Sequence, residues 1–326
     1  MDKSKNEGAQ FDRRGGAAGG IVSHLQPAAA TSVPLLLLVS IDQRWEKYLT
    51  ELKNFRKNPS GDTVRMLRVA SRRLHTILQM LDELEPYKPL KRVLREHREQ
   101  LNSLDELRDT QVMLRDITGE LSQFPVLLKF QGKLQKKDAR AMKKTKKEFK
   151  RIEPGETVRV LVRWMERLEG KEIEDMPEKL RQSIDSSYQE VHGRFEQLDP
   201  ADPTTIHCVR LAFKKFRYKI LVLQPLLLEY PPDALECMDK YQDWMGTVQD
   251  IQVLREALED FGAASPQLDV QPVSQFYQQR LAEAVADYMK HKDMLNDFWR
   301  PAAGQPFPWR QANENIPAKT WNCDGA

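Results

Sequence analysis

The sequence has few of the features that mark a secreted, membrane-spanning or metal-binding protein. Only three cysteines occur in 326 residues, an odd number without metal-ligand spacing, which argues against a disulfide framework and a zinc site. The only apolar run, Leu35 to Val39, is too short to cross a bilayer and does not follow a signal-peptide n-region. We therefore expect a cytoplasmic protein without membrane contact.

Motifs of common enzyme classes are also absent. The sequence contains no P-loop, no glycine-rich dinucleotide-binding motif, no His-Glu-x-x-His motif and no Gly-x-Ser-x-Gly motif. No nucleophile or metal-ligand set takes their place. The expectation is a binding protein without catalytic activity, cofactor or metal.

Glycine is scarce after the first twenty residues, while Leu, Glu, Lys, Arg, Gln and Met, all good helix formers, dominate long stretches. This composition predicts an all-α fold. Residues 1–33 carry glycine pairs and few large apolar groups, so we expect a disordered N-terminal tail. Residues 300–326, rich in proline, are expected to be irregular.

Prolines and capping residues divide the remaining chain, residues 34–299, into two similar parts. A first bundle is expected at about 36–152, connecting helices at about 154–198, and a second bundle at about 203–299. The scheme predicts a helix boundary within each bundle, at 107/108 and at 247/248.

Two motifs occur twice with nearly constant spacing. The first motif is Arg65-x-x-Arg68-x-x-x-Arg72-Arg73-x-His75, and its second copy is His207-x-x-Arg210-x-x-x-Lys214-Lys215-x-Arg217-Tyr218. The offset between matched positions is 142 residues, from 65 to 207. The second motif contains Asp109 and Asp250, which are 141 residues apart. Such internal repetition indicates a duplicated helical unit whose basic positions form one composite site.

Helical spacing places the cations of each copy on one face of a helix. The first face comprises Arg65, Arg68, Arg72 and His75. The second comprises His207, Arg210, Lys214 and Arg217, with Lys215 and Tyr218 at its border. Like charges three or four residues apart repel by about 0.2–0.5 kcal/mol per pair. A negative group is expected to compensate them: either carboxylates from neighbouring helices or a polyanionic ligand held between the two halves.

The choice of arginine at 65, 68, 72 and 73 favours oxyanion binding, because one guanidinium donates to two oxygens of a phosphate. A single basic run is more often a solvated helix face, but the repetition favours a site. His75 and His207 alone are more typical of neutral surface or core histidines. Beside arginines, their imidazoles are also able to donate to a phosphate oxygen.

Asp109 and Asp250 allow two interpretations. The favoured one places each at a helix start or junction, where it caps backbone N–H groups or orients a motif arginine. The alternative is acid–base catalysis by paired carboxylates. Arg108, next to Asp109, is counted among the candidate phosphate-binding residues.

Residues 129–151 carry eleven Lys and Arg against only Asp138 and Glu148. Within this segment Lys133, Lys137, Arg140 and Lys144 alternate in steps of four and three, which keeps them on one side of a helix. We predict that this side lies along a polyanion, although a generic nucleic-acid contact gives the same pattern.

The doubled motif, followed about forty residues later by a Leu-Gly-x-x-Arg/Gln-Asp pattern, resembles the CHAD domain, the conserved histidine α-helical domain. The resemblance covers roughly residues 36–299. It implies two four-helix bundles related by a pseudo-twofold axis, a basic central cavity lined by the motif helices, and binding of inorganic polyphosphate. It also implies association with polyphosphate granules.

Two positions depart from the family pattern. Arg65 stands where the first-copy histidine is expected, and Leu104-Asp105 replaces the Leu-Gly of the first copy, whereas Met245-Gly246 retains the glycine. The exchange to Arg65 keeps a cation, so we expect anion binding to persist. Any role that requires a titrating histidine is left to His207.

The sequence thus predicts a non-catalytic polyphosphate-binding protein. One alternative is a helical protein that binds RNA or DNA, although the basic faces contain few aromatics for base stacking. The other is a phosphate-metabolism enzyme that recruits a divalent ion through Asp109 or Asp250.

Overall fold

The computed structural model describes residues 33–168, 176–224, 227 and 230–310. In these ranges the chain forms nine α-helices and two short 3-10 helices, with no strand, which confirms the all-α fold class. The helices are α1 (Val33–Lys57), α2 (Gly61–Leu84), α3 (Lys88–Thr118), α4 (Leu127–Lys150), α5 (Pro154–Glu166), α6 (Met176–Phe195), α7 (Pro203–Leu223), α8 (Pro232–Ala263), α9 (Gln271–His291), η1 (Lys292–Asp297) and η2 (Pro308–Arg310). The predicted N-terminal tail, apart from Val33, and residues 311–326 lie outside the described residues.

The helices pack in two groups. Helices α1 to α4 pack in chain order and α1 also contacts α4, while α6 to α9 pack in chain order with η1 against α8 and α9. The two groups meet where α2 contacts α6 and α7 and where α3 contacts α8. Both helices that carry the first motif, α2 and α7, therefore lie at the junction.

Two predicted helix boundaries are wrong. Helix α3 runs without a break through residues 107 and 108, and α8 runs through 247 and 248. Asp109 and Asp250 consequently lie inside helices, where backbone N–H groups are already bonded, and neither caps a helix start. The buried apolar face continues across both positions through Leu104, Leu107 and Val248, so nothing interrupts either helix.

Asp185 of α6 fixes the chain segment that follows η1. Its carboxylate accepts hydrogen bonds from the indole of Trp299 at 2.7 Å and from Arg300 at 2.9 and 2.5 Å. Trp299 is buried and contacts Phe307 edge-on. The start of the predicted irregular tail is thus attached to the second helix group.

The cysteine expectation needs one correction. Cys208 is a free, exposed thiol, whereas Cys237 is disulfide-bonded, so the argument against disulfides is wrong for Cys237. An odd cysteine count does not exclude a single bridge. Among the described helices, none combines the length and apolarity needed to span a bilayer.

A capping box starts the motif helix α2. The hydroxyl of Ser60 accepts from the backbone N–H of Thr63 at 3.3 Å, and the hydroxyl of Thr63 accepts from the backbone N–H of Ser60 at 2.8 Å. We expect Ser60→Ala to lower the free energy of unfolding by about 1 kcal/mol, because one orphan N–H loses its acceptor. Thermal unfolding followed by circular dichroism should show a melting temperature roughly 1–2 °C lower. An unchanged melting temperature would argue against a role for this cap in stability.

Candidate functional site

A groove lined by charged side chains runs along the junction of the two helix groups. It consists of a cavity of about 150 Å³ and a larger one of about 490 Å³, which share Arg72, Asp105, Leu211 and Lys214 in their walls. We call the two together the central groove. Its walls come from α2, α3, α6, α7 and α8, so both copies of the first motif contribute to it.

The amphipathic pattern of α2 turns its cations into this groove. Val64, Leu67 and Leu74 are fully buried against the first helix group, which leaves Arg68 and Arg72 on the side that meets α7. Helix α7 is buried on more of its circumference, because Phe213 and Phe216 also pack in the core. The chain therefore brings the predicted basic stripes to one place.

The central groove has an excess of positive charge. Seven Arg and Lys side chains line it against four carboxylates, and His75 and His207 add two imidazoles. The cations are Arg68, Arg72, Arg98, Arg194, Arg210, Lys214 and Lys215. Most of the excess lies in the larger cavity, where only Asp105 and Glu190 are negative. A groove of this kind attracts anions and concentrates them locally.

The two copies of the motif differ in how their cations are compensated. In the first copy Arg68 Nε donates to Asp105 at 2.5 Å, and Arg72 donates to the other oxygen of the same carboxylate. Burial raises the pKa of Asp105, but the charges and hydrogen bonds of Arg68 and Arg72 outweigh it and hold the pKa below its usual value. The first copy is thus compensated by a carboxylate from the neighbouring helix α3.

In the second copy, the described carboxylates Asp250 and Asp109 act on Arg210 only from beyond ion-pair distance. Among the described residues Arg210 and Lys214 form no ion pair within 4.0 Å, and Arg210 Nε is buried without a hydrogen-bond partner. Lys214 is only 7% exposed. Its burial, together with the charges of Arg72, Arg210 and Arg68, lowers its pKa to about 6. The groove therefore holds an unpaired amine surrounded by guanidinium groups.

Asp109 and Asp250 face each other across the junction. Burial raises the pKa of both groups. The charge of Asp105 further raises the pKa of Asp109, and the charge of Asp109 further raises that of Asp250, whereas Arg210 lowers both pKa values. Neither carboxylate forms an ion pair among the described residues, so their effect on the motif arginines is through space. They form one end of the groove beside His207.

Both candidate histidines are neutral at physiological pH. Burial and the charges of Arg98 and Arg72 lower the pKa of His75 to about 4, and its ring lies nearly parallel to that of His97. Burial and the charge of Arg210 lower the pKa of His207, although a hydrogen bond with Gln249 acts in the opposite direction. As neutral imidazoles they are able to donate one hydrogen bond each.

Several predicted site residues do not line the groove. Arg217 is buried and paired with Asp239 of α8, so it joins α7 to α8. Arg65 and Arg73 are exposed on α2, outside both cavities. Arg108 lines neither cavity, and its pKa is lowered chiefly by its burial, with smaller effects from charges that include Arg68 and Asp250.

The predicted basic face of α4 forms a separate surface. Lys133, Lys137, Arg140 and Lys144 line a shallow groove of about 530 Å³ with the end of α8, and this groove shares no residue with the central groove. Of the eleven cations between 129 and 151, only Lys144 has an ion pair in the described structure, at 3.8 Å from Glu106. The α4 face is therefore basic and largely uncompensated.

Arg98 and Arg194 are groove residues that the motif did not identify. Arg98 precedes Asp105 by seven residues on α3, which puts the two on one helix face. The sequence could have identified Arg98, because it lies on the same helix face as Asp109, nearer the start of α3. Arg194 is on α6, which carries no copy of either motif, so the sequence held no signal for it. Within the described ranges, no three His, Cys, Asp or Glu side chains are grouped to hold a metal.

Comparison with known proteins assigns this architecture to a family. The CHAD domain family matches residues 40–259, which is more than half of the chain, and the protein belongs to that family. The crystal structure of the CHAD domain from the plant Ricinus communis is similar, with a TM-score of 0.60 and 18% sequence identity over 88% of this chain and 94% of that chain. At this identity the likeness establishes the fold alone. No curated protein matches the sequence.

Proposed function

We propose that the protein binds inorganic polyphosphate in the central groove, without cleaving it, as a protein associated with polyphosphate granules. The observation that carries the proposal is the pair Arg210 and Lys214, two basic side chains of the central groove that form no ion pair with any described carboxylate. Nearby guanidinium groups and burial disfavour the charged form of the Lys214 amine. A linear polyanion placed between them supplies the missing negative charge.

The chemistry of the lining suits phosphate groups. Guanidinium groups from α2 and α7 bind two oxygens of one phosphate, and the lysines bind as point charges. The groove continues through Arg72 towards Arg98, Arg194 and Lys215, so successive phosphates of one chain meet successive cations. A single small phosphate ester would use only part of this row.

The α4 face supports a contact with a longer polyanion outside the groove. Its helix of 24 residues extends over about 36 Å, and its cations are exposed. Because this face has no enclosed pocket and no stacking aromatics, it is not selective between polyphosphate and nucleic acid. We assign selectivity to the central groove and general polyanion affinity to the α4 face.

Salt dependence tests the proposal. Binding of polyphosphate to purified protein, measured by fluorescence anisotropy from 50 to 200 mM salt, should give a plot of log affinity against log salt with a slope of roughly −2 to −4, because each neutralised phosphate releases counterions. Absence of binding, or affinity that does not change with salt, would contradict the proposal.

Competition separates the alternatives. Polyphosphate should displace bound RNA at low concentration, whereas RNA should displace polyphosphate poorly, since Tyr218 is the only Phe, Tyr or Trp side chain that lines the described groove for base stacking. The reverse order would favour the nucleic-acid alternative. Release of orthophosphate from polyphosphate in the presence of Mg²⁺ or Mn²⁺ would instead favour the enzyme, with Asp109 and Asp250 as the residues to replace first.

A further inference from the structure

Among the described residues, the direct ion pairing of Arg68 and Arg72 in the first motif copy has no counterpart at the matched positions of the second. Asp105 of α3 bonds Arg68 and Arg72, and the position 141 residues later, Gly246 of α8, has no side chain. A β-carbon built on Gly246 would lie 4.0 Å from Nε of Arg210. Gly246 and Asp105 thus face matched arginines from matched helices, one without and one with a carboxylate.

Asp105 occupies the donors that a phosphate would use. Its two oxygens accept from two different arginines, which is the arrangement expected for two oxygens of one bound phosphate. The carboxylate is also accessible: the Asp105, Arg68 and Arg72 side chains are 29%, 21% and 22% exposed, and all three line the central groove. It is neither sealed in the core nor isolated from a ligand.

We propose that Asp105 is an internal competitor for the anion site, which holds the two arginines of the first copy until a polyanion displaces it. A ligand therefore binds first to Arg210 and Lys214 of the second copy and engages Arg68 and Arg72 only by replacing Asp105. Short anions that cannot reach across both copies bind weakly, and long chains bind strongly. This inference rests on the proposed function and specifies how the same site prefers polyphosphate over orthophosphate.

The competing interpretation is that Asp105 positions the arginines for the ligand. The two roles predict opposite effects of removing its charge, since a positioning residue supports binding and a competitor opposes it. Asp105→Asn is the main variant because it retains shape and leaves the helix intact. Asp109→Asn is the matched control, because Asp109 also lines the groove but forms no ion pair with a described residue.

The experiment measures the affinity of polyphosphate and of orthophosphate for the full chain and these two variants at one salt concentration, with circular dichroism to verify folding. Asp105→Asn should bind polyphosphate about tenfold more tightly, a change of ~1.4 kcal/mol. It should also bind orthophosphate measurably. Its gain in polyphosphate affinity should exceed any gain shown by Asp109→Asn. The slope of log affinity against log salt should steepen by about 0.7 for each newly contacted phosphate.

The reciprocal variant Gly246→Asp places a carboxylate beside Arg210 and should weaken polyphosphate binding. Weaker or unchanged binding in a folded Asp105→Asn protein, or equal gains in both Asn variants, would overturn the competitor role while leaving polyphosphate binding itself in place. No binding by the unaltered protein or by any variant would overturn the proposed function and, with it, this inference.

Discussion

Replacing Arg68 and Arg210 together by alanine is expected to lower the affinity for polyphosphate by roughly 100- to 10,000-fold. Hydrogen bonds to charged groups each contribute about 1.5–3 kcal/mol, and the double variant removes one phosphate-binding guanidinium from each motif copy. Isothermal titration calorimetry or anisotropy at fixed salt measures the change. Both side chains line the central groove, so the effect is local to the site.

The matched control removes the same charge from the α4 face. Lys137→Ala with Arg140→Ala also deletes two cations, yet both residues lie in the groove that is separate from the central one. We expect this variant to lose severalfold in affinity at most, through a weaker general attraction. A similar loss in both double variants would show that only net charge matters and that the central groove is not the site.

The two arginines of the first variant should also differ when they are replaced singly. Arg210 has no carboxylate partner among the described residues, whereas Arg68 is already bonded to Asp105. Arg210→Ala should therefore cost more affinity than Arg68→Ala. A larger loss for Arg210→Ala would indicate that the ligand binds first to the second motif copy. Equal losses would indicate that it uses both copies equally.

Lys214 should make binding depend on pH. Its pKa of about 6 means that the amine is mostly neutral at pH 7.5, and bound phosphates, by adding negative charge, would raise that pKa and return the proton. Affinity should therefore level off below about pH 6 and fall by up to about fiftyfold between pH 6 and pH 8. Affinity falls as pH rises because the complex holds more protons than the free protein and ligand.

Calorimetry in two buffers of different ionisation enthalpy measures this proton uptake directly, and about one proton per binding event is expected at pH 7.5. Lys214→Arg is the control, since a guanidinium remains charged throughout and should remove most of the uptake. Protonation of the ligand itself is the same for both proteins and cancels in the comparison. Equal proton uptake by both proteins would rule out Lys214 as the coupled group.

Much of this arrangement follows from the sequence through simple helix periodicity. The repeated spacing placed Arg68, Arg72, Arg210 and Lys214 on faces that the structure brings into one groove. Periodicity failed for Arg217, because spacing does not reveal that α7 is buried on most of its circumference. The side chain three residues beyond Lys214 therefore meets Asp239 of α8 and not the groove.

The helix ends and the compensating charges were harder to predict. Asp109 and Asp250 have the composition of helix caps, but the apolar faces of α3 and α8 continue past them, and packing determines the helix length. In the sequence, Asp105 stood out only because it replaces the glycine of the family pattern. Its contact with two arginines depends on how α3 packs against α2, which is a property of the tertiary structure.

The most direct test is a crystal structure of the protein bound to a polyphosphate. We expect density for a phosphate chain in the central groove, with phosphates in contact with Arg210 and Lys214 and with the Asp105 carboxylate moved away from Arg68 and Arg72. Density confined to the α4 face, with the central groove unchanged, would rule out the central groove as the polyphosphate site.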